Sequence, residues 1–252
     1  MKTSLVIFIG SVASGKTSVA RTLKNIITNK EIAVKYADIN INHGFAYILT
    51  RFLSALLKHT YVGNHYLTIR FSNEILFCKY LRIMLLLDVI YMPVKYFTGL
   101  KAFIMFNRFM RRRCVILLDE YYLNAIVDYL YFSKSLCQEG YEQNGYIKSI
   151  YRIFYVLAYQ LILRTIKSGK TLIVYMDRLP RDSIGGWLRR EKTNFVDVNH
   201  VIYRRLATKA ILNTLKQQNN INVSIKEYSA QDFPKTLKNV VHEVLNSIGE
   251  IF

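Results

Sequence analysis

The chain has 252 residues and carries 35 Lys and Arg against 17 Asp and Glu, a formal net charge of +18. With 52% hydrophobic and 21% charged residues it is a globular chain, long enough for one large domain with a buried core, and intrinsic disorder is excluded. The positive balance favours anionic partners: nucleotides, nucleic acid or an acidic membrane surface.

The first apolar run, Leu5–Ile9 (LVIFI), predicts a buried strand. Residues 1–4 lead straight into it, so a signal peptide is not expected. Residues 10–17 then read Gly-Ser-Val-Ala-Ser-Gly-Lys-Thr and satisfy G-x-x-x-x-G-K-[ST]. A helical segment follows at Ser18–Ile27, which completes the strand, glycine turn and helix N-terminus that a phosphate loop needs. Gly10 and Gly15 let successive N–H groups turn inward on phosphate oxygens, Lys16 can reach the β- and γ-phosphates, and Thr17 can ligate Mg²⁺.

A second strand is expected at Ala33–Ala37 and a helix at Gly44–Leu57. Between them Asp38, Asn40, Asn42 and His43 offer polar groups where an acceptor substrate would sit, His43 reading better as a local hydrogen-bonding residue than as a base. Residues 75–110 are very apolar, but charge-free stretches such as Ile83–Leu87 are short. A spanning helix needs about 20 apolar residues, so no transmembrane segment is expected; two amphipathic helices broken near Pro93 or Gly99 are, and a peripheral membrane contact stays open. Arg111–Arg113 read as a solvated helix end.

The strand Cys114–Leu118 runs into Asp119-Glu120, a Walker B pattern that sets a carboxylate beside the phosphate loop as an oxygen ligand for Mg²⁺. Glu120 reads either as the glutamate that polarises water in many ATPases or as an acid at a helix N-terminus. Tyr121 and Tyr122 can stack on a base, although most of the 19 tyrosines are expected in the core. Helices follow at Tyr121–Leu136 and Ile147–Lys167.

The strand Thr171–Met176 ends in Asp177, and Pro180 suits the first turn of a helix at Arg181–Arg190. Arg178, Arg181, Arg189, Arg190 and Lys192 concentrate positive charge of the kind phosphoryl transfer requires. Gly185-Gly186 reads as the hinge of a lid or as a helix boundary, with Asn194–Asn199 completing the lid. A helix at Asn199–Gln217, a strand at Val223–Glu227, the turn Tyr228-Ser229-Ala230 and a helix at Pro234–Ile248 close the chain. Cys78, Cys114 and Cys137 lie far apart without a C-x-x-C, which speaks against a disulfide framework or a zinc site and suits a reducing, cytoplasmic compartment. Short apolar runs alternating with longer periodic segments indicate βαβ units on a parallel sheet, which binds ligands at the carboxyl ends of its strands.

In this order the motifs resemble the thymidylate kinase family of nucleoside monophosphate kinases. The phosphate loop matches Gly10–Thr17, the family's Asp-Arg-Tyr motif looks like Asp119-Glu120-Tyr121, its Asp-x-Pro strand end and arginine-rich helix look like Met176–Arg190, and its closing turn looks like Tyr228–Ala230. The resemblance implies an α/β P-loop NTPase three-layer sandwich with a five-stranded parallel sheet flanked by helices. It implies one kinase domain over 1–252, a lid near 181–199, ATP and Mg²⁺ as cofactors, and often a homodimer. It further implies that ATP is held by Gly10, Ser11, Ala13, Ser14, Gly15, Lys16, Thr17, Ser18, Ser229 and Ala230, and Mg²⁺ by Thr17 and Asp119. Lys16, Arg181, Arg189 and Arg190 would neutralise the transferred phosphate. Asp38, Glu120, Tyr121 and Tyr122 would face a small acceptor such as dTMP. Two positions depart from the family. Val12 stands where an acid is usual, and Glu120 replaces an arginine, reversing the charge beside phosphate unless Arg178, Arg181, Arg189 or Arg190 compensates. Two other readings remain open: a P-loop ATPase acting with nucleic acid, resting on Asp119-Glu120 and the net charge, and a catalytically weak nucleotide-binding relative, resting on Val12 and Glu120.

Overall fold

The computed structural model describes residues 3–11, 13–28, 32–38, 46, 48–49, 52, 74–120, 122–136, 145–191, 197–217, 223–230 and 233–249. Five strands, β1 (Thr3–Gly10), β2 (Ala33–Asp38), β3 (Cys114–Asp119), β4 (Lys170–Asp177) and β5 (Val223–Ser229), form one sheet in the order β2-β3-β1-β4-β5. Every neighbouring pair is parallel. β1, β3 and β4 are continuous apolar runs because both faces of the sheet are covered. β5, at the edge, is less buried and mixes charged with apolar residues.

Each strand expected from the sequence is present and extends further at its carboxyl end. The added residues are Gly10, Asp38, Asp119, Asp177, Tyr228 and Ser229. Apart from Tyr228 all are polar or glycine, so an apolar-run criterion stops short of them, yet the ladder holds them: Asp38 lies in register with Asp119, and Asp177 with Ser229.

α1 (Lys16–Thr28) and α8 (Phe233–Gly249) cover one face of the sheet, packing Val19, Leu23, Val240 and Val244 on Val6, Phe8, Val115 and Leu117. The other face carries α2 (Glu74–Val94), α3 (Ala102–Phe109), α4 (Tyr122–Leu136), α5 (Gly145–Lys167) and α7 (Val198–Gln217). α6 (Pro180–Glu191) lies against α7 at the carboxyl end of the sheet. Because α1 leaves β1 on one face and α4 leaves β3 on the other, a crevice opens between the ends of β1 and β3, the place where such sheets bind ligands.

Two expectations are corrected. The apolar stretch is not broken at Pro93 or Gly99: α2 passes into α3 through a π-helical segment, Lys95–Lys101, in which the Ala102 N–H donates to the Phe97 carbonyl five residues back. Pro93 lacks an N–H, and the wider π turn that follows lets the helical run continue past it. Cys78 is disulfide-bonded whereas Cys114 is free, so the chain does not keep all its thiols reduced; cysteine spacing alone carries no such signal. Of the helix expected at Gly44–Leu57, residues 46, 48, 49 and 52 are described and helical, and the rest lies outside the described residues.

Candidate active site

β1 ends at Gly10 with φ +139°, and a Cβ there would stand 2.2 Å from the Met176 carbonyl oxygen of β4. Only glycine lets the chain turn this close to its neighbour. The Ser11 N–H donates to that same carbonyl at 3.1 Å, and the Ser11 hydroxyl accepts from the Arg178 N–H at 3.0 Å. Ala13 (φ +54°) and Gly15 (φ +87°) complete the turn in the left-handed region, and α1 begins at Lys16. No acidic side chain occupies the first turn of α1 itself, so the negative charge near it comes from Asp119 and Glu120 of the neighbouring strand end. Lys16, 5% exposed, curls back over the loop, its Nζ donating to the Ser11 carbonyl at 2.7 Å and to the Gly10 carbonyl at 3.2 Å. Ser14 is buried beside it, with Oγ 3.5 Å from Nζ, while Thr17 and Ser18 are exposed at the start of the helix.

Asp119 faces this loop from the end of β3. Its Oδ2 accepts a 2.9 Å hydrogen bond from the Tyr36 hydroxyl, and the Thr17 hydroxyl bonds to the same carboxyl. Its buried Oδ1 has no hydrogen-bond partner among the described residues. Burial pushes the Asp119 carboxyl above the usual carboxylate range; Glu120 adds to the rise, and Thr17, Lys16 and Tyr36 oppose it.

Glu120 is held in the left-handed region at φ +59°, an uncommon backbone state for a side chain with a Cβ, and its N–H donates to the Phe8 carbonyl at 3.1 Å. Its Oε1 lies 3.2 Å from Arg204 and 3.7 Å from Lys16. Arg204, 3% exposed on α7, also approaches Asp128 at 3.8 Å, and Asp128 meets His200 at 2.9 Å. The His200 N–H in turn donates to Asp197, which also accepts from the Tyr131 hydroxyl. A continuous polar chain thus runs from the loop lysine to the N-terminus of α7. Reading the sequence missed Arg204. The available signal is periodic: Glu120, Asn124 and Asp128, like His200, Arg204 and Thr208, are polar residues one helical turn apart on otherwise apolar, buried faces.

α6 seats directly on the loop. Arg178 Nη1 donates to the Ala13 carbonyl, and Ala13 packs with Ile184, Trp187 and Val201. The helix runs unbroken through Gly185-Gly186, so no helix boundary falls there. Gly186 serves a close approach instead: a Cβ would stand 2.9 Å from the Ala13 Cβ and 3.0 Å from Arg178, whereas Gly185 has nothing within 4 Å. Gly185→Ala is expected to stabilise the fold by about 0.5–1 kcal/mol through helix propensity. Gly186→Ala is expected to destabilise it by about 1–3 kcal/mol through overpacking. Urea denaturation of the pair checks the contrast, and equal effects at the two sites would contradict the close approach.

Other expected site residues fall elsewhere. Tyr122 is fully buried, its hydroxyl donating to the Met92 carbonyl at 3.0 Å, so it is a core residue and not a stacking platform. Arg181 and Arg189 are exposed on α6, away from the loop contacts made by Arg178. Tyr121, Val12, the Arg190 side chain and residues 192–196 lie outside the described residues. Asp38 closes β2 and lies in register with Asp119 of β3. Ser229 closes β5, its carbonyl accepting from Thr236, and the buried Ala230 donates its N–H to the Asp177 carbonyl at 2.8 Å. Asp177 is clamped by Arg205 at 2.7 and 2.8 Å and by Lys209 at 2.7 Å. Burial alone would raise its pKa, but these two cations hold it well below the usual carboxylate range, which ties α7 to the end of β4.

No protein-family model matches the chain, and no curated protein is significantly similar to it. The geometry itself brings together an inward-turned glycine loop, a helix N-terminus, one lysine, one hydroxyl and one buried carboxylate at the end of a parallel sheet. That arrangement suits an anion with several phosphate oxygens and a hard cation between them.

Proposed function

We propose that this chain is an ATP-dependent phosphotransferase of the thymidylate kinase type, transferring the γ-phosphate of ATP to a nucleoside monophosphate such as dTMP or to a related small acceptor. The observation that carries the reading is the convergence of Lys16, Thr17 and Asp119 at the ends of β1 and β3. The loop amides and Lys16 would hold the phosphates of ATP. Thr17 and Asp119 would hold Mg²⁺, and the partnerless buried Oδ1 of Asp119 fits that task. When bound, Mg²⁺ supplies neutralising charge and orientation for phosphate oxygens. Lys16 would exchange its contacts with the Gly10 and Ser11 carbonyls for the transferred phosphate. Glu120, where the family has an arginine, does not stand as a lone anion: Arg204 reaches it from α7 and brings a cation to the same place.

A coupled assay of ADP release across nucleoside monophosphates, nucleosides and sugars tests the proposal; no acceptor-dependent ADP release from any of them overturns it. The ATPase reading rests on Asp119-Glu120. Against it, Glu120 is engaged by two cations, which lowers its capacity to polarise water. ATP hydrolysis stimulated by DNA or RNA without any acceptor would favour that alternative.

Asp119→Asn separates the metal role from stability. Because burial raises the folded-state pKa of Asp119 above its unfolded value, the ionised carboxyl costs stability at neutral pH. The cost is fully present above the raised pKa and is relieved as pH falls through it. Asp119→Asn is therefore expected to raise Tm by about 2–4 °C, the equivalent of about 1 kcal/mol, while abolishing Mg²⁺-dependent turnover. The thermal advantage should shrink in acid, which melts at a series of pH values check.

A further inference from the structure

The helical run Cys78–Phe109 is long and apolar enough to cross a membrane by length and composition. Its inner face commits it to the protein. Leu81, Met84, Leu85, Leu100 and Ile104 are buried in the same core as the strand residues Leu5, Ile7 and Ile116. Asp88, 2% exposed, accepts a 2.7 Å hydrogen bond from the Tyr129 hydroxyl of α4. A spanning position would strip this face from the core and carry the Asp88 carboxyl into hydrocarbon.

The outer face is different. Ile83, Leu86, Ile90, Val94 and Phe97 recur every three or four residues, and Phe106 and Phe109 resume the ridge after the π-helical segment. Their exposures range from 41% to 82%. Such a continuous ridge exceeds the single scattered apolar residues of an ordinary surface. Its charge is one-sided. Residues 79–113 carry Lys79, Arg82, Lys95, Lys101, Arg108 and Arg111–Arg113 against one acid, the buried Asp88. Lys79 and Arg111–Arg113 are exposed at the two ends of the ridge. An apolar ridge bracketed by cations matches the boundary layer of an anionic bilayer, which offers acyl chains beneath a plane of phosphates. Nucleic acid would answer the cations but leave the isoleucines and phenylalanines in water.

We propose that the outer face of α2 and α3 is an interfacial docking surface that lies flat on an anionic lipid membrane. Phe106 and Phe109 enter the boundary between headgroups and acyl chains, and Arg108, Arg111 and Arg112 pair with lipid phosphates. The proposal does not rest on the phosphotransferase reading. Sedimentation of the full chain with vesicles tests it, comparing phosphatidylcholine alone with a phosphatidylcholine–phosphatidylserine mixture. The protein is expected to pellet with the mixed vesicles and not with phosphatidylcholine, and added salt should weaken the binding. Phe106→Asp/Phe109→Asp is expected to lower partitioning about tenfold or more, with an unchanged circular dichroism spectrum because both side chains are exposed. Failure to bind either vesicle, or equal binding to both, overturns the proposal. So does a dimer in sedimentation equilibrium that the same double variant dissociates, in a protein that ignores vesicles; the ridge would then belong to a second copy of this chain. The lipid and salt comparisons use the unmodified protein, so a poorly folded variant leaves the test intact.

Discussion

On the proposed phosphotransferase reading, Lys16→Met is expected to lower phosphoryl transfer by about 10²–10³-fold, equivalent to about 2.7–4 kcal/mol of transition-state stabilisation. The reason is geometric. Lys16 begins α1 and its Nζ is folded onto the loop, 2.7 Å from the Ser11 carbonyl, so the ammonium waits within the curve of the loop where phosphate oxygens would come. Methionine keeps the stem and removes the charge. Arginine should not restore the rate, because a planar fork does not fit a buried pocket lined by the Gly10 and Ser11 carbonyls and Ser14. Steady-state kinetics with the preferred acceptor check the size of the loss. A Lys16→Met enzyme within about threefold of wild type would remove Lys16 from the reaction, since even one positioned donor is worth more.

The second large effect concerns stability. Arg204→Met is expected to cost about 3–5 kcal/mol, because it takes the shared cation from the buried Asp128 and the partly buried Glu120 and leaves them only His200 and the more distant Lys16. For a domain of this size that lowers Tm by about 6–20 °C. The penalty belongs to the uncompensated carboxylates and not to the lost pair as such. Adding Glu120→Gln and Asp128→Asn to Arg204→Met should therefore recover much of it, since neutral isosteres remove the charges that need a partner. Thermal and urea melts of the single and triple variants test this. A single variant within about 1 kcal/mol of wild type would mean that solvent reaches the seam and that the 3% exposure of Arg204 misrepresents it.

Sequence periodicity located the five strands and most of the helices, because buried parallel strands are continuous apolar runs and helices bury a repeating face. It fell short at the strand ends, where Asp119 and Asp177 break the apolar run yet still pair in the ladder. The glycine turn from Gly10 to Lys16 was legible because its pattern is written in consecutive residues. Arg204 was not, since it reaches Glu120 across 84 positions of sequence, and only packing brings α7 to α4. Tyr122 shows the reverse error: adjacency to Asp119-Glu120 suggested a substrate contact, but helix rotation turns it into the core. Gly185-Gly186 read as a helix boundary because helix propensity disfavours glycine; the close approach of Ala13 to Gly186 is a tertiary fact that no propensity contains.

The position of β1 has a consequence for how the chain is made. Of the five described strands it leaves the ribosome first, yet it pairs with β3 and β4, Thr3 aligning with Cys114 and Ser4 with Lys170. The earliest partner thus arrives 111 residues later and the second 166 residues later. At a synthesis rate of about 5–20 residues per second, the second edge of β1 waits about 8–33 s for its neighbour. Throughout that interval an uncharged, proline-free LVIFI segment is open to other nascent chains, the composition most prone to intermolecular strand pairing. Productive folding then depends on chaperone cover or on slow collapse around α1, and overproduction at high temperature should push the chain towards aggregates seeded at its own N-terminus.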